Sequence, residues 1–235
     1  MKNLIKKLIF KISRLIVFFK VKTPYDLFVK EEVRDSYLNF KKHFYTSIFF
    51  ENSYQIREYA IKKSLNYYEQ GDLNLEFGFG AGKSLNIFSK ILVDKKITAF
   101  GAPGSNLKED WVGYIGHPSH EIVGDRDKKP KNIGKNCELI FGWVQDTLKP
   151  FLDKNKNKKI NFVHMDLDTY DSSLFVLKLI KPYLKQNTII LFDELYNYSG
   201  WRVGEYKALK ETFDDKEYKY LSFCSKYSQV AIQIL

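Results

Sequence analysis

The stretch Leu73-Asn-Leu-Glu-Phe-Gly-Phe-Gly-Ala-Gly-Lys-Ser-Leu85 constrains the fold more than any other part of the chain. An apolar run ending at Glu76 meets glycine at three alternate positions, Gly78, Gly80 and Gly82, and Lys83 then opens a segment with helical periodicity. That order predicts a strand, a tight turn and a helix N-terminus in succession. Without a Cβ the turn can take positive φ and let a ligand approach the backbone. The unpaired N–H groups of the helix start face the same cleft. Alone, the pattern fits either an ordinary glycine-rich turn or a seat for a nucleotide-like ligand.

The rest of the chain supplies strand and helix patterns in alternation. Residues 23–72 read as helix, with Pro24 and Tyr25 as a break and clear periodicity from Asn52 to Tyr68, closed by Gly71 and Asp72. After the glycine turn come a helix over Ser84 to Val93, a strand over Lys96 to Gly101 and a strand over Glu138 to Phe141. A short helix from Gln145 to Leu152 leads to a strand from Ile160 to Met165. A helix from Ser172 to Leu184 follows, with Ser172 or Ser173 near its N-cap. A strand over Thr188 to Phe192 and a helix over Val203 to Phe213 precede two closing strands, Tyr218 to Phe223 and Gln229 to Leu235, with no helix between them. Alternation of this kind implies a mainly parallel sheet. The closing pair adds an antiparallel hairpin. The expected architecture is α/β: a Rossmann-like, seven-stranded, mostly parallel sheet preceded by N-terminal helices. A helical, basic extension over residues 1–50 precedes a single domain over residues 51–235.

Charge and cysteine content narrow the partners. The formal charge is +10, which by itself invites a nucleic-acid or anionic-membrane reading. The lysines, however, gather in residues 1–22 and in solvated loops such as Asp153-Lys-Asn-Lys-Asn-Lys-Lys159, so no nucleic-acid partner is expected. In residues 1–22, Ile5, Leu8, Ile9, Ile12, Leu15, Ile16 and Phe19 recur at helical spacing among lysines. The uncharged run Leu15 to Phe19 is too short to span a bilayer. The segment reads either as a basic helix lying on the inner membrane face or as a helix packed on its own domain or on a second subunit of a homo-oligomer. Cys137 and Cys224 sit in apolar, strand-like runs and read as free thiols of a reducing, cytoplasmic setting.

The acids point to chemistry. Ligands of open α/β sheets bind beyond the carboxyl ends of the strands. The strand ending at Met165 is followed by Asp166, Asp168 and Asp171, and the strand ending at Phe192 by Asp193 and Glu194. Asp171 reads as a helix cap. The other four, crowded on neighbouring strand ends, repel one another unless a cation or proton offsets them, and oxygen-rich sets of this kind suit Mg²⁺ or Ca²⁺. The long polar stretch from Ala102 to Asn136 has the length of a lid or binding loop. Its His117 and His120 read as solvated, and its Trp111 as a cleft contact.

Four ordered segments carry a resemblance: Glu76-Phe-Gly-Phe-Gly-Ala-Gly-Lys-Ser84, Gly142-Trp-Val-Gln-Asp-Thr-Leu148, His164-Met-Asp-Leu-Asp-Thr-Tyr-Asp-Ser-Ser173 and Phe192-Asp-Glu-Leu-Tyr-Asn-Tyr-Ser-Gly-Trp201. Over residues 55–235 the chain resembles class I S-adenosylmethionine-dependent methyltransferases, specifically the relatives of the macrocin O-methyltransferase group that act on sugar hydroxyls. The resemblance implies that Glu76, Gly78, Gly80 and Ser84 line the pocket for the amino-acid and ribose parts of S-adenosylmethionine. It puts Trp143, Gln145 and Asp146 beside the adenine and Asp166 at the cofactor's edge. It implies a divalent ion such as Mg²⁺ on Asp166, Asp193 and Glu194, Asp168 as general base, and a small-molecule or glycan acceptor. Two departures stand out. The family's ribose-gripping acid is absent from Gly101-Ala-Pro-Gly-Ser-Asn106, where Ser105 or Asn106 are the neutral substitutes, and Glu194 stands where the metal-dependent sugar enzymes have aspartate. The first departure supports an alternative, a non-catalytic binding module on the same fold. A nicotinamide oxidoreductase fits the glycine turn but leaves the acid cluster without a purpose.

Overall fold

The computed structural model describes residues 23–102, 130 and 133–235. The segment 1–22 and the loop positions Ser105, Asn106, Trp111, His117 and His120 lie outside the described residues. The elements run α1 (Pro24–Phe44), β1 (Ile48–Phe50), α2 (Ser53–Leu65), β2 (Leu73–Phe77), α3 (Lys83–Leu92), β3 (Ile97–Gly101), β4 (Cys137–Phe141), α4 (Val144–Lys154), β5 (Ile160–Met165), α5 (Tyr170–Ile180), β6 (Leu184–Phe192), α6 (Glu205–Thr212), β7 (Tyr218–Cys224) and β8 (Val230–Ile234). One sheet holds all the strands in the order β1-β7-β8-β6-β5-β2-β3-β4. Every pairing is parallel except those of β8, which runs antiparallel to both β6 and β7.

The sheet therefore has eight strands rather than seven. The addition is β1, three residues paired in parallel with the end of β7. Three residues are too few to show a period, so Ile48-Phe49-Phe50 merges in the sequence with the helices on either side. Pro24 and Tyr25 do not break a helix but open one. Pro24 takes a first-turn position where its missing N–H costs nothing. Thr23 caps the helix reciprocally, its hydroxyl accepting from the Asp26 N–H at 3.2 Å while the Asp26 carboxylate accepts from the Thr23 N–H at 2.8 Å. Thr169 rather than Ser172 or Ser173 is the N-cap of α5; Ser173 is buried inside the helix and Asp171 lies exposed in its first turn.

Apolar side chains fill both faces of the sheet. On one face, α2 and α3 pack Ile56, Ala60, Ile61, Leu85 and Phe88 against Phe162, Ile189 and Leu191. On the other, α4, α5 and α6 cover Leu75, Phe77, Val163, Met165, Ile190 and Phe192. Helix α1 joins this second core through Phe40. That side chain is fully buried with its ring 5.4–5.7 Å from those of Tyr196, Trp201, Tyr206, Tyr220 and Phe223. Cys137 is half-buried and Cys224 buried, and both are free thiols. No helix among the described residues is long and apolar enough to cross a membrane.

Strand alternation decides what reaches the site. Successive side chains point to opposite faces, so Leu75 and Phe77 enter the α4–α6 core while Glu76 points towards α2 and α3. His164 does the same on β5, between Val163 and Met165, and Asp193 continues the face of Ile189 and Leu191 past the end of β6. Glu76 and His164 are register partners on adjacent strands. Three ionisable groups thus meet at the carboxyl end of the sheet, on the face that α2 and α3 cover.

Candidate active site

The glycine turn is fixed by backbone contacts. Gly78 has φ +90°, and a Cβ built there would lie 1.7 Å from the Asp166 carbonyl oxygen. The turn and the end of β5 can approach this closely only with glycine at position 78. Main-chain bonds hold the approach: the Gly78 N–H donates to the Phe100 oxygen at 2.8 Å and the Asp166 N–H to the Phe77 oxygen at 2.8 Å. Gly82, also at positive φ, is the N-cap of α3, whereas a Cβ on Gly80 would meet open space.

Beneath the turn runs a chain of buried charges. Glu76, with no exposed surface, accepts on Oε1 from the Ser84 hydroxyl and from His164 Nδ1 at 3.0 Å. The opposite ring nitrogen, Nε2, lies 3.4 Å from Asp193 Oδ1. That oxygen also accepts from Arg57 Nη2 at 2.5 Å, and Asp193 Oδ2 accepts from Gln229 Nε2 at 3.2 Å. Burial disfavours a charged imidazole at His164, but its bonds to Asp193 and Glu76 outweigh it and push the pKa up to about 9. Burial likewise opposes charge on Asp193, and its bond from His164, together with the charge of the Arg57 guanidinium, overcomes it, holding this carboxyl well below the usual range. Glu76 Oε2 is buried without a hydrogen-bond partner among the described residues.

The remaining acids are less well compensated. Carboxylate oxygens of Asp166, Asp168 and Glu194 lie within 4.8 Å of one another, and so do ligand atoms of His164, Asp166 and Asp193. Burial, then the negative charge of Asp193, raises Asp166 and Glu194 well above the ordinary carboxylate range. Glu205, fully buried at the start of α6, accepts from the Glu194 N–H at 3.0 Å. Burial, again reinforced by Asp193, raises its carboxyl too. Asp168 holds a left-handed backbone, φ +64°, which aspartate tolerates better than most residues. Such a donor set, hard and crowded, is of the kind a divalent ion takes. Asp193 is already engaged on both oxygens by Arg57, His164 and Gln229.

The sequence-derived candidates fall into three groups. Glu76, Gly78, Ser84, Asp166, Asp168, Asp193 and Glu194 are brought to one end of the sheet, with Gly80 in the open part of the turn. Trp143, the half-buried N-cap of α4, and the exposed Gln145 and Asp146 follow the end of β4, whose Phe141 ring meets that of Phe79 in the turn at 5.6 Å. Ser105 is outside the described residues. Sequence reasoning missed Arg57, His164, Glu205 and Gln229. Arg57 carried a usable signal: with Ile61 and Ser64 it falls on the buried stripe of α2, where an arginine needs an acid. A cavity of about 430 Å³ lined by Lys42, His43, Tyr218 and Tyr220 sits at the amino end of β7, away from these acids.

Residues 75–195, just over half of the chain, match the family model described as "Methyltransferase domain". No curated protein matches the chain. Among solved structures, the calicheamicin methyltransferase CalS11 superposes with a TM-score of 0.62 at 19% identity over 77% of each chain. The O-methyltransferase NovP gives 0.54 at 17% identity, covering 77% of this chain and 78% of its own. A structure described as a putative O-methyltransferase from Klebsiella pneumoniae gives 0.51 at 14% identity, covering 95% of this chain and 94% of its own. At these identities the likeness is one of fold.

Proposed function

The chain belongs to this methyltransferase-domain family, and from that premise we propose that it is an S-adenosylmethionine-dependent O-methyltransferase acting on a hydroxyl of a sugar or glycan precursor. The observation that carries the reading is the position of Glu76. Its one unpartnered oxygen is buried beneath a turn that tolerates no side chain at position 78, next to the acids of β5 and β6. A buried carboxylate oxygen of that kind suits a cationic or hydroxyl donor such as a bound cofactor offers. The similarity in fold to CalS11 and NovP supports the same arrangement.

In this reading the cofactor supplies an electrophilic methyl group on sulfur. Glu76, oriented by Ser84 and His164, holds the amino-acid end, and the open backbone from Gly78 to Gly82 receives the ribose. Trp143 forms the flank for the adenine, with Gln145 and Asp146 at its rim, and Ser105 stands in for the missing ribose acid. Asp168 takes the proton of the acceptor hydroxyl, and the turn and the acids fix the acceptor oxygen in line with the methyl group. The carboxylates of Asp166 and Glu194 beside Asp168 would hold a divalent ion, which would supply Lewis-acid chemistry to the acceptor hydroxyl.

Calorimetric titration of the full chain with S-adenosylmethionine, with and without Mg²⁺, tests the reading together with a methyl-transfer assay of Asp168→Asn. Binding by both proteins and loss of transfer in the variant are expected. Absence of binding at millimolar cofactor would leave the non-catalytic module as the better description. Full turnover by Asp168→Asn would remove that residue as base.

A further inference from the structure

We infer that Arg57 is the built-in counter-cation of the acid cluster and that it withdraws Asp193 from the carboxylates open to a divalent ion. Three donors from three separate elements converge on Asp193: Arg57 Nη2 from α2 at 2.5 Å, His164 Nε2 from β5 at 3.4 Å, and Gln229 Nε2 next to β8 at 3.2 Å. Both carboxylate oxygens are engaged. The Arg57 and Asp193 side chains are only 14% and 11% exposed, so solvent and salt screen the pair little.

Guanidinium does not lose its proton in proteins. A metal ion recruiting Asp193 would therefore leave a permanent positive charge buried beside it without its anion, and the two cations would repel. Glu194, the next residue, is placed differently. Its Oε2 is buried without a hydrogen-bond partner among the described residues, and its carboxylate lies within 4.8 Å of those of Asp166 and Asp168. An ion entering the cluster is thus held by Asp166 and Glu194, with Asp168 alongside, while Asp193 orients His164 and the β6 end. Arg57 also lies outside the segment 75–195 that matches the family model, so this cation comes from the helical preface.

The inference deepens the metal component of the proposed function and rests on it, but Mn²⁺ binding reads the cluster without cofactor or acceptor. A failed methyl-transfer assay therefore does not bear on it. The test is a titration of the full chain with Mn²⁺ followed by the electron paramagnetic resonance signal of the free ion. The charge-neutral double variant Arg57→Gln/Asp193→Asn should change the affinity less than about twofold, whereas Glu194→Gln should weaken it by roughly tenfold or more. Arg57→Gln, which frees Asp193 as a ligand, should bind Mn²⁺ about tenfold more tightly, and Arg57→Lys should match the native chain. A roughly tenfold loss in the double variant Arg57→Gln/Asp193→Asn would overturn the inference. So would a folded Arg57→Gln that binds Mn²⁺ no better than the native chain. Circular dichroism establishes folding, and if Arg57→Gln does not fold, the double variant, which leaves no unpaired charge, decides.

Discussion

The two halves of the acid-rich sheet end are built on opposite electrostatic terms. Arg57, Asp193, His164 and Glu76 form a line of alternating sign, two cations against two anions, each in contact with the next. Asp166, Glu194 and Glu205 sit a few ångströms away, where burial and the charge of Asp193 push their carboxyls up. The first group's charges are matched inside the fold and fix the strand ends, leaving only Glu76 Oε2 without a partner among the described residues. The second is held under electrostatic stress that a proton, a cation or a ligand relieves, and stress of this kind concentrates where proteins bind and react. Asp193 and Glu194, consecutive in the chain, fall on opposite sides of this divide because alternation past the end of β6 turns only Asp193 towards α2.

Gly78 is the point at which the two halves touch, and substituting it has the largest expected effect. Gly78→Ala drives a methyl group into the Asp166 carbonyl and strains a backbone at φ +90°. Strain and overpacking together should cost about 5 kcal/mol, measured by urea unfolding. A cost near 1 kcal/mol would mean that the two strand ends part easily and that the halves are not rigidly joined. Arg57 comes next. Arg57→Leu strands the Asp193 charge and should cost about 3–5 kcal/mol, while the double variant with Asp193→Leu should regain a large part of it. Equal losses in single and double variants would show that Arg57 acts by packing rather than by charge.

How much of this could be read from residues alone follows the same divide. The order of strands and helices was visible wherever a period had room to show, as in Ile160 to Met165, whose predicted and observed bounds coincide. It was not visible in Ile48-Phe49-Phe50, which becomes a strand only because β7 offers it an edge. Asp166, Asp168, Asp193 and Glu194 stood out because acids after apolar runs mark strand ends. Their division into matched and unmatched charges did not, because it depends on a helix 136 residues earlier in the chain. His164 lay in full view inside an apolar strand, yet only the register with Glu76 explains why a charged imidazole is kept there. Glu205 gave no signal of its own, since an acid in a first helical turn is the ordinary choice.

The smallest effect, and the one that separates the halves most cleanly, is the pH dependence of stability. His164 has its pKa raised from 6.5 to about 9. Its contribution is therefore complete below the unfolded value and lost as pH rises through the folded one. At about 1.4 kcal/mol per unit, the loss is at most about 3–4 kcal/mol. Asp193, held low, contributes stability above the unfolded aspartate value, and that contribution is lost in acid. Asp166, Glu194 and Glu205 are raised, so the fold is penalised as pH climbs past the ordinary carboxylate range. Both halves thus weaken the protein towards alkaline pH, the carboxylates from roughly pH 4 upwards and His164 from about 6.5, with greatest stability near pH 4. They do so for different reasons that melting curves can divide. His164→Phe should remove the decline between about 6.5 and 9 but leave the carboxylate part. Added Mg²⁺ should offset the carboxylate part in the native chain and in His164→Phe alike, because the ion stabilises only the state in which those acids are charged. If Mg²⁺ instead restored only the decline that His164→Phe abolishes, the two halves would be one coupled unit, and the division drawn between Asp193 and Glu194 would fail.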